Sequence, residues 1–322
     1  MKKVAVLCSG GDAPGMNAAV RAVVRTSISQ GVEPLGVKQG FQGLIDGHFV
    51  DMNLGSVANI IQRGGTILKA GRCPEFNQQT YRKKAIDHLL KNQVDGMIII
   101  GGDGSFHGAQ ALAEESHLRV IGIPGTIDND IYGSELTIGF DTAINTATDA
   151  IDRIRDTAAS HDRLFIVEVM GRDSGFIAVE VGLAGGAEEI FVPEFNVNLE
   201  GVIQHIKTGM QRGKYSSILV TAEGQKPGRA YDLAEAIRKK AGFDAKVCIL
   251  GHIQRGGKPT AADRNLASRM GAAAVTALLE GHTGLYIGVQ NSKLVRVGFK
   301  ESLGKTKDLD QQGLQLAQIL SL

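Results

Sequence analysis

Three glycine-rich segments that also carry polar side chains stand out in this sequence. They cover residues 9–15, 101–105 and 124–130, and each follows a short apolar run. Glycine lets backbone N–H groups approach oxyanions, and a helix N-terminus behind such a turn favours negative charge, so each segment suits phosphate binding. One such turn alone is as often a plain connection between a strand and a helix, so the hypothesis depends on the three together.

Carboxylates lie in two of these segments at places where they could do chemistry. Asp103 follows the apolar run 98–100, where a carboxylate could hold Mg²⁺ between two phosphates. Asp128 and Asp130 are two residues apart, so in an extended stretch both point to the same side. One of them could take a proton from a sugar hydroxyl. The alternatives are a turn-capping aspartate at Asp103 and a turn rich in Asp and Asn around Asp128.

Phosphoryl transfer also needs cations where negative charge spreads in the transition state. The candidates are Arg72, Arg163, Arg172, His252 and Arg255. Each alone is more often a solvated surface cation, and His252 could equally be a hydrogen-bonded core histidine. A second basic set, which by its residues alone reads as a solvated face, consists of Arg21, Arg25, Arg212 and Lys214.

Hydrophobic patterns predict the elements that position these residues. Short runs rich in Val and Ile predict buried strands at residues 4–7, 97–100, 120–123, 165–169, 218–220 and 247–250. Helical patterns cover residues 17–29, 81–91, 142–158 and 261–280, with Gly281 in the C-terminal capping position of the last. This alternation predicts an α/β fold of mainly parallel sheets with helices on both faces. The three glycine-rich segments then meet at the carboxyl edge of a sheet, where such folds bind ligands.

Length, charge and cysteine content limit the function classes. The chain has 322 residues, which is longer than a single hydrophobic core usually supports. We therefore expect two lobes. A formal net charge of +1 gives no global field for nucleic acid or a membrane surface. The three cysteines have no metal-ligand spacing, which favours a reducing cytoplasm. No apolar run is long enough for a signal peptide or a membrane-spanning helix.

As a set, the motifs resemble the signature of the bacterial ATP-dependent 6-phosphofructokinases. The matching motifs lie at residues 10–17, 101–105, 124–130, 170–172 and 251–257, in the same order and spacing, and the resemblance runs from residue 1 to about residue 300. It implies a glycolytic kinase that transfers the γ-phosphoryl group of ATP, with Mg²⁺, to the 1-hydroxyl of fructose 6-phosphate, giving fructose 1,6-bisphosphate and ADP. It further implies a cytoplasmic, allosteric homotetramer.

The resemblance also assigns roles to single residues. The resemblance makes Asp128 the general base and implies further catalytic roles for Gly11, Arg72, Thr126 and Arg172. ATP and its metal are bound by Gly11, Arg72, Cys73, Phe76, Asp103, Gly104, Ser105 and Gly108, with Asp103 as the metal ligand. The sugar phosphate is bound by Thr126, Asp128, Asp130, Arg163, Met170, Gly171, Arg172, Glu223, Lys246, His252 and Arg255. Of these, Arg163 and Lys246 are supplied by a neighbouring subunit.

An effector site is implied in the same way, for a nucleoside diphosphate or phosphoenolpyruvate. Its residues are Arg21, Arg25, Arg155, Gly186, Glu188, Arg212 and Lys214, with Glu188 as a candidate metal ligand. Two positions depart from the family pattern: Lys246 replaces a usual arginine, and Leu54 replaces a basic residue of many members. The pattern also implies that Gly104 and Gly125 leave room for the α-phosphate of ATP, where pyrophosphate-dependent relatives carry an aspartate and a lysine.

The family architecture implies an ATP-binding lobe of residues 1–138 plus 252–302 and a sugar-phosphate lobe of residues 139–251 plus 303–322.

Other classes of enzyme or binding protein fit the motifs less well. A dinucleotide-binding oxidoreductase needs glycine where His107 stands, and a P-loop ATPase needs Ser or Thr after Lys214. A non-catalytic sugar-phosphate sensor is disfavoured only by the joint presence of Asp103 and Asp128.

Overall fold

The computed structural model describes residues 1–161, 163–196, 198–214 and 216–321. The chain divides into two compact units. The first consists of Met1–Thr142 and Arg255–Lys307, and the second of Ala143–Gln254 and Asp308–Leu322. Within the described ranges, no helix has the length and apolar character needed to cross a membrane.

The strands of the described residues are β1 (Lys3–Cys8), β2 (Glu33–Val37), β3 (Phe49–Asp51), β4 (Gly96–Gly101), β5 (Arg119–Pro124), β6 (Leu164–Val169), β7 (Glu189–Phe191), β8 (Ser217–Ala222), β9 (Ala245–Ile249), β10 (Leu285–Gln290) and β11 (Lys293–Gly298).

The helices of the described residues are α1 (Met16–Ser29), α2 (Gly40–Asp46), α3 (Gln79–Lys91), α4 (Asp103–Glu115), α5 (Phe140–Ser160), α6 (Phe176–Ala184), α7 (Leu199–Gln211), α8 (Arg229–Ala241), α9 (Ala261–Leu279), α10 (Phe299–Ser302) and α11 (Gln311–Leu320). Two 3₁₀ turns lie at Pro74–Asn77 and Gly251–Arg255.

The first unit contains a seven-stranded sheet in the order β11-β10-β5-β4-β1-β2-β3. The pairs from β10 to β2 are parallel, whereas β3 and β11 pair antiparallel at the two edges. Every residue of β4 is buried, as expected for a parallel strand covered on both faces. The core beside it includes the stacked rings of Phe106 and Tyr286, whose centroids lie 5.0 Å apart, together with Phe299.

Two helices of this unit pack unusually closely. A Cβ atom at Gly271 of α9 would lie 2.7 Å from Ala22 Cβ of α1, so glycine permits the approach. Helix α9 starts at a Thr260 cap, where the Thr260 hydroxyl accepts a hydrogen bond from Asp263 N at 3.2 Å. It ends just before Gly281, which has a φ of 92°. The predicted helix and its glycine stop are confirmed.

The second unit has a parallel four-stranded sheet in the order β7-β8-β6-β9. Its core is formed by Ile166, Leu219 and the apolar faces of α7 and α8. Glu168 is buried inside β6, and its carboxylate accepts hydrogen bonds from Gly228 N at 2.8 Å and Ala230 N at 2.9 Å. This carboxylate satisfies backbone donors at the start of α8. Its negative charge also interacts favourably with the positive end of the α8 dipole.

The predicted α/β class with mainly parallel sheets is confirmed, and each of the six predicted strands is present within about two residues. One local prediction is wrong. The segment at residues 126–130 is not extended, because Asn129 adopts a left-handed φ of 52° and turns the chain between Asp128 and Asp130. Asparagine tolerates this conformation better than most residues, because its short side chain can form local hydrogen bonds.

Candidate active site

The three glycine-rich segments lie side by side in the first unit. They follow β1, β4 and β5, which are adjacent and parallel in its sheet. Backbone hydrogen bonds join them at this edge: Ser9 N donates to Ile100 O at 2.9 Å, and Gly125 N donates to Gly101 O at 3.0 Å. The predicted convergence at the carboxyl edge is therefore confirmed.

Gly11 and Arg255 contact each other although they are far apart in the sequence. A Cβ atom at position 11 would lie 2.6 Å from Arg255 Nη1, so any larger residue displaces the guanidinium. Arg255 Nη1 also donates to Asp12 O at 3.2 Å. The first glycine loop and this arginine thus form one positive, backbone-lined surface suited to an oxyanion. The expected ATP-binding loop and one expected sugar-phosphate residue lie next to each other.

Asp103 is the first residue of α4 and follows β4 after a single glycine. Its side chain is more than half exposed, and its Oδ2 lies 3.6 Å from His107 Nε2 in the next turn. The described residues contain no group of three or more His, Cys, Asp and Glu side chains that could hold a metal ion. An exposed single carboxylate fits a cation such as Mg²⁺, which keeps water ligands and takes the rest from phosphate oxygens.

Aromatic packing shapes the neighbouring surface. Phe76 is buried and stacks on Phe41, with ring centroids 4.1 Å apart. A Cβ atom at Gly108 would lie 2.7 Å from the Phe41 ring and 3.3 Å from Phe76, so glycine is needed for the rings to approach α4. Cys73 lies beside them, 3.4 Å from Gln42 Oε1, and burial raises the pKa of its thiol.

Arg72 is exposed, Ser105 is buried, and Gly104 faces open space. A Cβ atom at Gly104 would have nothing within 4 Å, which agrees with room for a ligand there. At Gly125 a Cβ atom would lie 3.0 Å from Ile100 and 3.2 Å from Met16, so apolar packing also favours glycine there. Room for the α-phosphate at Gly125 stays a prediction.

The candidate base sits in a short hydrogen-bonded turn. Asp128 is half-buried and its backbone N–H donates to Thr126 Oγ1 at 3.2 Å. Thr126 is held in turn by Thr137, whose hydroxyl donates to Thr126 O at 2.6 Å. Asp130 is exposed beyond the left-handed Asn129. The segment around Asp128 is thus a turn, as the alternative of a turn rich in Asp and Asn anticipated. The same geometry is equally suited to holding a base.

In the second unit, the expected sugar-phosphate residues fall into two groups. Met170, Gly171 and Arg172 follow β6, Glu223 follows β8, and His252 follows β9. Because β8, β6 and β9 are adjacent and parallel, these residues share the carboxyl edge of the sheet. His252 is exposed, which rules out its alternative as a core histidine.

The other two residues lie at the opposite edge. Arg163 directly precedes β6, and Lys246 is paired with Phe165 near the start of that strand. Six residues at about 3.3 Å each separate Arg163 from Met170 by roughly 20 Å. Both cationic side chains are exposed, and Lys246 Nζ lies 2.7 Å from Asp244 Oδ2. Within one chain, Arg163 and Lys246 therefore cannot join Arg172 at one ligand.

One further residue organises the carboxyl edge; it lies in the motif at residues 251–257, but no role for it was predicted from the sequence. Gln254 is fully buried, and its Oε1 accepts a hydrogen bond from Met170 N at 2.8 Å. Gly171 then has a φ of 132° and Arg172 a φ of 53°, which brings Ser174 N to donate to Gly171 O at 2.9 Å. The buried carboxamide fixes the turn that presents the Arg172 side chain.

The expected effector residues of the second unit form a hydrogen-bonded cluster. Glu188 is buried; its carboxylate accepts from Ile218 N and lies 2.8 Å from Lys214 Nζ and 3.9 Å from Arg155 Nη1. Arg155 also donates to Gly186 O at 2.7 Å. The carboxylate positions two cations, so a metal-ligand role for Glu188 has no support in the described structure. Arg212 is exposed.

The remaining effector candidates lie on the first unit. Arg21 and Arg25 are half-buried on α1, and Arg25 Nε is a buried donor that has no hydrogen-bond partner among the described residues. Leu54 is 49% exposed. The alternative of a merely solvated basic face does not describe Arg25, because its guanidinium is partly removed from water.

Comparison with known proteins agrees with these features. The phosphofructokinase family model matches residues 3–278. The chain is 53% identical over 322 residues to the "ATP-dependent 6-phosphofructokinase 1" of Thermus thermophilus and to the "ATP-dependent 6-phosphofructokinase" of Brevibacillus brevis, with both chains covered in full. These matches extend over the whole of both lengths.

Solved structures of similar proteins share the fold. A phosphofructokinase from Saccharomyces cerevisiae superposes with a TM-score of 0.87 at 36% identity, covering 94% of this chain and 44% of the yeast chain. One from Pichia pastoris in the T-state gives 0.89 at 33% identity, covering 99% of this chain and 36% of the other. The chain thus spans less than half of either of these larger chains. On the family match and the full-length identities, it belongs to the phosphofructokinase family.

Proposed function

We propose that this chain transfers the γ-phosphoryl group of ATP to the 1-hydroxyl of fructose 6-phosphate, giving fructose 1,6-bisphosphate and ADP. The observation that carries this proposal is the 53% identity, over the full length of both chains, to proteins named for that reaction. The side-by-side arrangement of the three glycine-rich segments supports it. The reaction is a step of glycolysis, and on family grounds we place it in the cytoplasm.

ATP binding is assigned to the first unit. We infer that Gly11, Gly104, Ser105 and Gly108 receive the nucleotide, with Arg72, Cys73 and Phe76 around it. The divalent cation that accompanies the nucleotide is proposed to be Mg²⁺, held by Asp103, where it neutralises phosphate charge. The exposed position of Asp103 at the N-terminus of α4 supports this role.

The chemical step is assigned to Asp128. The carboxylate accepts the proton of the 1-hydroxyl, the hydroxyl oxygen forms a bond to the γ-phosphorus, and the bond to the β,γ-bridging oxygen breaks to leave ADP. Arg72, Arg172 and the backbone of Gly11 stabilise the charge that spreads over the transferred group. The hydrogen bond from Asp128 N to Thr126 supports a fixed orientation of the base.

Sugar-phosphate binding is assigned to Thr126, Asp130, Arg255 and the carboxyl edge of the second unit, with Met170, Gly171, Arg172, Glu223 and His252. Arg163 and Lys246 lie at the other edge of that sheet, roughly 20 Å away. We therefore propose that they serve the site of a neighbouring copy in a homotetramer.

We further propose that a nucleoside diphosphate or phosphoenolpyruvate regulates the enzyme through Arg21, Arg25, Arg155, Gly186, Glu188, Arg212 and Lys214. Leu54 removes one cation from this set, so the response is expected to be modest. The cluster around Glu188 supports a preorganised set of cations.

An ADP-release assay with ATP and Mg²⁺ tests the function. Fructose 6-phosphate should support release, other hexose phosphates less so, and removing the divalent ion should abolish it. Pyrophosphate should be a poor donor, since Gly104 faces open space that the nucleotide can use. If fructose 6-phosphate binds but no ADP appears under any condition, the sensor alternative is correct instead.

A further inference from the structure

Lys307 contacts the segment that carries the proposed base, although it is 179 positions beyond Asp128 in the sequence. It is half-buried and is the last residue of the first unit. Its Nζ donates to two backbone carbonyls, Asn129 O and Glu135 O, each at 2.9 Å. These carbonyls lie on the two sides of the loop formed by residues 126–137, so the ammonium bridges the loop.

The far side of this loop is anchored to the sheet. Glu135 N donates to Val289 O at 2.8 Å, and Val289 N donates to Ser134 Oγ at 3.0 Å. Glu135 Oε1 also accepts from Asn291 N at 2.8 Å. Strand β10 and the turn after it therefore fix the position of Glu135.

The near side of the loop, which holds Asp128, is linked to this anchor by side chains. Asn129 Nδ2 donates to Glu135 O at 3.1 Å, and Lys307 adds the bridge from Asn129 O to the same carbonyl. Both contacts therefore hold Asn129, which turns the chain with its φ of 52°, against the anchored side of the loop. Hydrogen bonds from a charged donor are about twice as strong as neutral ones, so the ammonium of Lys307 contributes strongly to this link.

Charge also favours a cation at this place. Asp130 and Glu135 interact electrostatically with Lys307 and oppose the effect of burial, which lowers the pKa of the ammonium to about 8. A lysine held here despite partial burial implies that its contacts with the loop outweigh the loss of hydration.

We propose that Lys307 is a positioning residue for phosphoryl transfer, which holds Asp128 at the correct place by bridging Asn129 and Glu135. Its hydrogen bonds to Asn129 O and Glu135 O give it a route to Asp128 through the loop. The inference rests on the proposed role of Asp128 as the base. A misplacement of about 1 Å in a reacting group costs on the order of 100-fold in rate, so losing the bridge should slow the chemical step.

The test compares three variants in steady-state kinetics. Lys307→Met removes the donor but keeps the length of the side chain, and should lower kcat about 10- to 100-fold with both KM values within about twofold. Lys307→Arg keeps charge and donors and should recover most of kcat. Lys305→Met is the matched control, because Lys305 is exposed and lies over the Tyr132 ring at 5.1 Å. It should behave as wild type.

A second comparison separates this inference from the proposed function. If Lys307 acts through Asp128, then Lys307→Met should add little to the loss already caused by Asp128→Asn. Wild-type kcat in Lys307→Met, with Asp128→Asn inactive, overturns the inference and leaves the base assignment standing. Wild-type kcat in Asp128→Asn overturns the base assignment itself.

A pH profile keeps the inference testable if Lys307→Met does not fold. Among the described residues, Asp130 and Glu135 are charged groups that act on Lys307. Turnover of the wild type should fall as Lys307 loses its proton above about pH 8, whereas Lys307→Arg should keep its turnover there. Superimposable profiles overturn the inference.

Discussion

The two units use the edges of their sheets differently. In the first, β1, β4 and β5 bring the three glycine-rich segments to one carboxyl edge, and even the distant Arg255 contacts Gly11 there. In the second, Arg172 and His252 lie at the carboxyl edge, whereas Arg163 and Lys246 lie at the other. The candidate binding residues of the first unit thus share one edge of its sheet, whereas those of the second unit lie at two opposite edges. Substitutions in the first unit should damage chemistry, and substitutions at the amino edge of the second should damage binding.

The largest effect is expected at the base in the first unit. Asp128→Asn keeps the shape but cannot accept the proton, so turnover should fall about 10²- to 10⁴-fold while both substrates still bind. ADP release measures the chemistry, and calorimetry measures the binding. Asp130→Asn, at the exposed carboxylate that we assign to sugar-phosphate binding, should instead act mainly on KM for fructose 6-phosphate. Near-normal turnover in Asp128→Asn contradicts the assignment.

A smaller loss is expected when the contact between Gly11 and Arg255 is disturbed. The added methyl group of Gly11→Ala would lie 2.6 Å from the guanidinium, which must move. We expect kcat/KM to fall about 10- to 100-fold. Gly298→Ala is the matched control, because its methyl group would meet only ordinary contacts at 3.4 Å or more. Equal activities of the two variants would remove Arg255 from the site.

Lys246 tests the divided set in the second unit. Lys246→Ala should raise KM for fructose 6-phosphate roughly tenfold, as expected for a lost charged hydrogen bond, with little change in kcat. Lys246→Arg should lower KM, because arginine grips phosphate with a planar pair of donors. Lys239→Ala is a close control, since Lys239 also has a carboxylate partner at 2.7 Å, Glu235. An unchanged KM in Lys246→Ala would mean that this lysine is a solvated surface residue that does not bind the substrate.

The smallest effect concerns regulation. Leu54→Arg adds a cation at an exposed position and should increase the response to phosphoenolpyruvate or a nucleoside diphosphate about two- to fivefold. Titrations of activity at two salt concentrations measure it, since the gain should shrink as screening increases. Strong inhibition of the wild type at low phosphoenolpyruvate and moderate salt would contradict the expectation of a weakened pocket.

The sequence predicts the buried parallel strands well, because runs such as 97–100 are apolar at every position. The strands that it does not predict, including β2, β3, β7 and β11, are short, lie near sheet edges or mix polar with apolar residues. Their hydrophobic pattern is weak because part of each strand faces water. Tertiary pairing, which local sequence does not encode, stabilises them.

The candidate site likewise contains residues whose roles the sequence predicts and residues whose roles it does not. Gly11, Asp103 and Asp128 stand in local patterns that indicate their chemistry, and a family resemblance then supplies the distant members. Neither the local patterns nor the resemblance predicts the roles of Gln254 and Lys307. Gln254 contacts a backbone atom 84 positions away in the sequence, and Lys307 contacts one 178 positions away. A glutamine or lysine in a loop has no local signature for such a contact. The turn at Asn129 is not predicted for a related reason, since its partner Glu135 is held by contacts with β10 that are distant in the sequence.

The pairing of β10 with β5 has a consequence for how the enzyme is made. Ile121 pairs with Leu285, so the sheet of the first unit joins parts of the chain that leave the ribosome far apart in time. Until β10 is synthesised, Ser134 and Glu135 have no Val289 to bind. A nascent chain therefore already carries Asp103 and Asp128 long before it can hold Asp128, the proposed base, in place. Pairing across such a separation is slow because loop closure precedes the gain from contacts. Catalytic competence is thus a late event in folding, which arrives with the last strands of the sheet.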